Sequence, residues 1–120
     1  RRIAAAYVPY MEAMFARSEQ MAMDLFGRDI PHVLVLHANA LNADHFSALA
    51  AMLQQRGYRF ISLDEALAAG AYRSPLGFSA HEGESWLENW SRAAGLRPSQ
   101  QAAVPGFVIQ WAGPAAYRGY

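Results

Sequence analysis

The sequence predicts an α/β protein: a partial (β/α) barrel in which helix, strand, helix, strand and helix follow one another. An amphipathic helical pattern covers residues 2–26, and two short apolar runs follow at 31–37 and 58–62. Unbroken runs of branched apolar residues are typical of strands buried on both faces of a parallel sheet. We therefore expect a parallel strand pair joined by a right-handed crossover through the helix between them.

The first helix is predicted over residues 2–26 because apolar side chains recur there at spacings of three, four and seven. Pro9 either opens the main helix near its first turn or kinks a longer one. Gly27 suits the left-handed residue that often ends a helix. The predicted apolar face consists of Tyr7, Tyr10, Met14, Met21 and Leu25.

The crossover helix follows the first strand. Asn42 is the predicted N-cap of this helix, which should run to Arg56. After the second strand, Ser62 begins a capping-box pattern that opens a short helix, and Ser85 begins another one that should end near Gly95. These signals place three helices after the first strand.

Residues 1–95 are therefore predicted to form one structural segment, with a Gly-, Ser- and Pro-rich loop at 70–83. Residues 96–120 carry three Pro and three Gly without a steady period, so we expect an extended tail. We expect this tail to pack on the segment through Phe107, Val108, Ile109 and Trp111.

Composition excludes several classes of function. The ten positive charges are all Arg, are mostly scattered singly, and balance ten acidic residues, so no basic stripe for nucleic acid is expected. No apolar run approaches the roughly 18 residues of a membrane span. The absence of Cys excludes disulfides, thiolate metal sites and Cys nucleophiles. Hydrophobic residues make up 53% and charged residues 17%, which favours some apolar surface that meets a partner.

His37 is the strongest candidate for chemistry, because it ends the predicted strand 31–37. Ligands bind at the carboxyl ends of strands in α/β folds, and a His can act there as a general acid or base. The alternative is a His that is hydrogen-bonded at a strand end for structural reasons. His32 lies five residues earlier, on the opposite face of a strand, so the two cannot share one metal.

Other polar groups give weaker patterns. Asp44 and His45 could approach His37 as a zinc site, or could simply lie on a helix surface. His81 and Glu82 are expected to be solvated loop residues. No Gly-x-Ser-x-Gly elbow, phosphate loop or dinucleotide fingerprint occurs.

Two Trp residues lie four apart in the last predicted helix, at positions 86 and 90, and so share a face. Aromatic pairs of this kind pack most often in a core or an interface, and Trp86 and Trp90 could alternatively stack on sugar rings.

Residues 33–68, beginning VLVLHANALNADHF, resemble the C-terminal region of polysaccharide deacetylases of the NodB-homology class. The segment AYVPYMEAMFA at 6–16 resembles the region before that strand in one bacterial branch of the class, as do AYRSP at 71–75 and SWLENW at 85–90. In order and spacing, the resemblance covers roughly residues 3–95.

The resemblance implies a deformed (β/α) barrel and a metal-dependent hydrolase that removes N- or O-acetyl groups from carbohydrates. In the family an Asp and two His bind the metal, usually zinc, and a further Asp is the catalytic base. Neither the Asp-Asp strand end nor the His-x-x-x-His segment that supplies them occurs here. The family's Leu-x-His motif matches Val35, Leu36 and His37, which implies that His37 is the general acid and Val35 lines the acetyl pocket. Ala38 stands where many members have Asp.

Two interpretations remain. The chain is either the C-terminal fragment of a deacetylase, with a carbohydrate substrate, or a self-associating small protein with a binding role or a new hydrolytic activity at a subunit interface. In both we expect no metal or other cofactor bound by this chain alone, and a homo-oligomer, because a barrel fragment leaves apolar faces and strand edges uncovered. Relatives in the family are often secreted or periplasmic, and the sequence leaves the compartment of this chain open.

Overall fold

The computed structural model describes residues 1–77, 83–98 and 100–108, and the elements within these ranges are helical. Helix α1 is Arg2–Phe26, α2 is Ala40–Gln55, α3 is Leu63–Leu67 and α4 is Trp86–Ala93. A 3₁₀ turn at Gly70–Arg73 follows α3. No helix in the described part of the chain is long and apolar enough to cross a bilayer.

The predicted α/β barrel fragment is wrong, because neither 31–37 nor 58–62 forms a strand within the described chain. Strands require ladder hydrogen bonds, and no backbone–backbone hydrogen bond among the described residues involves 33–36 or 59–61. The run at 33–36 is also not covered on both faces, since Val35 is 79% exposed. A sheet of only two parallel strands is too small to be stable. Residues 31–37 and 58–62 have no further strands beside them in the described chain, so they do not form a sheet.

Helix α1 spans the predicted range. Pro9 lies inside it, where proline removes one i→i−4 hydrogen bond. Gly27 ends the helix with φ 65°, and its N–H donates to the Met23 carbonyl. This left-handed residue lets the chain turn away after the last helical turn.

The start of α2 differs from the prediction. Asn39, not Asn42, is the N-cap, and its side chain accepts a hydrogen bond from the Asn42 N–H at 2.9 Å. Asn39 has the extended backbone of an N-cap residue, whereas Asn42 is already helical. The side chain of Asn42 is therefore available for contacts with other segments.

The two serine caps are present as predicted. The Ser62 hydroxyl accepts from the Glu65 N–H at 3.1 Å, which opens α3. At the start of α4, the Ser85 hydroxyl accepts from the Glu88 N–H and the Ser85 N–H donates to the Glu88 carboxylate, a complete capping box. The chain turns after α4 at Gly95, where φ is 74°.

Helix α1 packs against both α2 and α4, and two separate clusters of buried residues result. The first, here called the α2-side core, is built from Phe15, Leu49, Met52 and Leu53. The second, the α4-side core, is built from Ala22, Ile30, Ala71 and Trp90. One long helix thus supplies a wall of each core.

The tail contacts the helices as far as it is described. Phe107 and Val108 are partly buried, and the Arg2 guanidinium lies 4.9 Å from the centre of the Phe107 ring. Ile109 and Trp111, which were expected to pack with them, lie outside the described residues.

Candidate functional site

His37 lies just before α2, on an exposed turn. Its carbonyl oxygen accepts two hydrogen bonds, from the Asn39 N–H at 2.9 Å and from Asn42 Nδ2 at 2.8 Å. The backbone that presents the imidazole is therefore fixed at the amino end of α2.

Asn42 connects this turn to α1. Its Oδ1 accepts a hydrogen bond of 2.7 Å from the Tyr7 hydroxyl, while its Nδ2 donates to the His37 carbonyl. Burial raises the pKa of the Tyr7 phenol, so this hydroxyl keeps its proton and remains a donor. Tyr7, Asn42 and His37 thus form a continuous link from one helix to the candidate acid.

An apolar groove of about 650 Å³ lies on one side of the segment before His37. Its walls come from one face of α1, from residues 32–35, from two leucines of α3 and from α4, and Tyr72 also contributes. The apolar groove is lined by Tyr10, Met11, Met14, Phe15, Ser18, His32, Val33, Leu34, Val35, Leu63, Leu67, Tyr72, Ser85, Trp86, Leu87 and Trp90. None of their side chains is an acid or an arginine.

The structure separates the residues that the sequence singled out. Val35 and His32 line the apolar groove, whereas His37 does not. The His32 side chain is only 6% exposed, and its Nε2 lies 2.9 Å from Asp29 Oδ1. His32 is thus engaged in a local contact with Asp29, three residues earlier.

The start of the groove segment is held by Tyr72. Its hydroxyl donates to the Pro31 carbonyl at 2.6 Å. Burial raises the pKa of this phenol, partly offset by a hydrogen bond with the Val33 backbone. Because Tyr72 follows α3, the chain after that helix fixes the position of residues 31–33.

The two aromatic residues of α4 lie close together, with ring centres 5.8 Å apart. Trp90 is buried and contacts the rings of Phe26 and Tyr72, whereas Trp86 is 48% exposed at the groove. Trp90 is therefore a core residue, and Trp86 offers an accessible aromatic face.

The weaker candidates do not assemble into a metal site among the described residues. No group of three His, Cys, Asp or Glu side chains in residues 1–77, 83–98 and 100–108 could hold a metal ion. The ring of His45 instead lies 5.6 Å from the ring of Tyr7. His81 and Glu82 lie outside the described residues. The zinc that the deacetylase resemblance implies therefore does not fit the described side chains.

No family model matches this sequence, and neither a curated protein nor a solved structure was found to match it.

Sequence reasoning missed two features of this region. The link through Asn42 was missed because Asn42 was assigned to the cap that Asn39 provides. The groove was missed because its walls come from segments far apart in sequence. One signal pointed to it: hydrophobic residues make up 53% of the sequence and charged residues only 17%. The described core does not bury all of these hydrophobic side chains, and several large ones are exposed.

Proposed function

We propose that this chain carries the general acid of a carbohydrate deacetylase, and that His37 is that acid. The observation that carries the proposal is the setting of His37: exposed, fixed through its carbonyl at the start of α2, and two residues after Val35. The resemblance of residues 33–68 to deacetylases supplies the reaction class.

The chemistry assigned to His37 is proton donation to a leaving group. When water adds to the acetyl carbon, the bond from that carbon to the sugar nitrogen or oxygen must break. The departing atom then takes a proton from the imidazole, so that acetate and an amine or alcohol are formed. A positioned general acid contributes about 10²–10⁴-fold to such a step.

Val35 has the properties of a contact for the acetyl methyl group. It is a small apolar side chain, it is 79% exposed, and it lies on the same segment as His37. The groups that activate the attacking water are assigned to residues outside this chain, because its sequence contains neither an Asp-Asp pair nor a His-x-x-x-His segment.

The test is acetate release from acetylated chito-oligosaccharides by the protein at its native length, which intact-mass analysis defines. We expect His37→Asn to lower kcat about 100-fold or more, because the leaving group loses its proton donor. His45→Asn is the matched control, since His45 lies on the first turns of α2 but contacts Tyr7. We expect this control to keep a kcat near that of the wild type.

Two results would overturn the proposal: a His37→Asn protein with wild-type kcat, or a native-length protein that releases no acetate with any divalent metal. A second arm uses the 120-residue chain alone with zinc or cobalt. We expect no metal-dependent acetate release from it. Turnover that EDTA abolishes would place the water-activating groups within this chain and contradict their assignment elsewhere.

A further inference from the structure

The rim of the apolar groove is exposed. Val35 is 79% exposed, Leu63 57%, Trp86 48% and Val33 44%. These side chains come from three segments but line one groove, so they form a continuous surface. Together with the other groove residues they expose an apolar patch of roughly a few hundred Å², within the range found on monomers.

The backbone beside this patch is also without hydrogen-bond partners among the described residues. Within the described chain, no hydrogen bond involves the N–H or C=O groups of residues 34–36. The Val33 backbone forms a hydrogen bond with Tyr72, so Val33 is the last residue of this segment that Tyr72 holds in place. An apolar segment with free backbone groups and no charge is a template for pairing with another extended chain.

We propose that a second copy of this chain covers this face. Residues 34–36 of the two copies pair in antiparallel fashion about a twofold axis that passes beside Val35, and each copy covers the exposed rim of the other's groove. This inference does not depend on the deacetylase proposal; because the dimer covers Val35, the acetyl contact proposed for Val35 belongs to the dissociated chain.

Three properties favour a second copy over a different protein as the occupant. The run Leu-Val-Leu at 34–36 is the same in both directions, so it is self-complementary, as a twofold interface requires. The groove residues include no charged acid or arginine that would repel its own copy, and the formal net charge of the chain is zero. A patch of roughly a few hundred Å² on each copy, extended by the paired backbone, corresponds to an interface at the small end of the range for specific contacts.

The test is light scattering on a size-exclusion column across a micromolar concentration series. We expect a wild-type mass of twice 13.2 kDa. Val35→Lys should give a 13.2 kDa monomer, because two lysines would face each other beside the axis. Phe46→Lys is the matched control: Phe46 is 54% exposed on α2 but does not line the groove, so this variant should remain a dimer.

Leu63→Lys provides a second variant if Val35→Lys fails to fold, since Leu63 lies on the groove rim in α3 rather than in the paired segment. We expect it to dissociate the dimer as well. Intermolecular NOEs between residues 34–36 of mixed labelled and unlabelled chains should define the antiparallel register.

A wild-type monomer throughout the series would overturn the inference. So would a dimer that survives both groove substitutions, one that Phe46→Lys dissociates, or an open-ended oligomer without twofold symmetry. A monomer whose groove takes up a hydrophobic dye would likewise overturn it, and would point to an apolar small molecule as the occupant.

Discussion

The two ends of α1 are held by different kinds of interaction. Its amino-terminal half contacts the α2-side core, where Leu49, Met52 and Leu53 supply mainly aliphatic packing. Its carboxyl-terminal half contacts the α4-side core, where Trp90 is surrounded by aromatic rings. Polar contacts flank both cores, but the buried polar side chains among the described residues, Asn89 and Ser91, both lie on α4.

The ion pairs show the same difference. Beside the α4-side core, Arg17 and Glu88 form a bond of 2.9 Å with side chains only 9% and 14% exposed. Beside the α2-side core, Arg56 reaches Glu12 at 3.2 Å on a more open surface, where the Glu12 side chain is 48% exposed. A charged pair shielded from water depends on both members, whereas an open pair loses little when one is removed.

The α4 side also contains buried polar groups. Asn89 is 5% exposed, and its side chain accepts from the Gly77 N–H at 2.8 Å and donates to the Gly77 carbonyl at 3.2 Å. Trp90 Nε1 is buried with no hydrogen-bond partner among the described residues. The comparison shows that one helix can have an apolar contact on one side and, on the other, a contact with buried polar groups that is more sensitive to substitution.

The largest expected effect is the loss of volume in the α2-side core. Leu49 is 1% exposed, so Leu49→Ala should lower the free energy of unfolding by about 2–5 kcal/mol. Urea unfolding followed by circular dichroism measures this value. Phe46→Ala, on the exposed side of the same helix, is the control and should change it by less than about 1 kcal/mol. Equal effects of the two substitutions would show that Leu49 is not in a packed core.

An intermediate effect is expected on the α4 side. Glu88→Gln keeps the size of the side chain but removes the charge that faces Arg17, and should lower the free energy of unfolding by about 1–3 kcal/mol. The capping box also loses its carboxylate. An unchanged free energy of unfolding would mean that the shielded pair contributes no more than a surface pair.

The same substitution has a pH signature. Burial raises the pKa of Glu88, but hydrogen bonds from the Ser85 backbone, Gln101 and Arg17 outweigh it, so the pKa lies below its ordinary value of 4.5. A carboxyl whose pKa is lowered by folding stabilises the native state above its unfolded pKa, and this contribution is lost as pH falls through the folded pKa. Glu88→Gln should therefore lose less stability than the wild type below pH 4.5, which urea unfolding at a series of pH values would show.

The smallest effect is expected for the open pair. Glu12→Gln should change the free energy of unfolding by no more than about 0.5 kcal/mol, because water screens this pair and Glu19 also binds Arg56. Added salt should reduce even this difference. A loss as large as that of Glu88→Gln would remove the distinction between the two sides of α1.

Signals that act within a few residues of each other predicted the structure well. The range of α1, its stop at Gly27 and the caps Ser62 and Ser85 all follow from side chains and backbone groups close in sequence. The N-cap of α2 was displaced by three residues, because Asn39 and Asn42 are both good caps and only the backbone angles distinguish them.

The strands were wrong for a different reason. An apolar run such as 33–36 reports that its side chains avoid water, not which neighbour covers them. Strand formation needs a second chain segment at hydrogen-bonding distance, and residues 58–62 do not provide it within the described chain. The same limit applies to the site: His37 and Val35 could be named from one short motif, whereas the groove depends on how α1, α3 and α4 pack.

The sharing of α1 between two cores has a kinetic consequence. The hydrogen bond between Tyr7 and Asn42 closes a loop of 35 residues, and that between Arg17 and Glu88 closes one of 71. Doubling the length of a loop adds about 0.6 kcal/mol to its closure entropy, so α2 meets α1 more readily than α4 does from the unfolded chain. Once α2 has docked on α1, a shorter unfolded segment connects α4 to the docked part of the chain. We therefore expect α2 to dock on α1 before α4 does, so that the aromatic cluster around Trp90 is completed later.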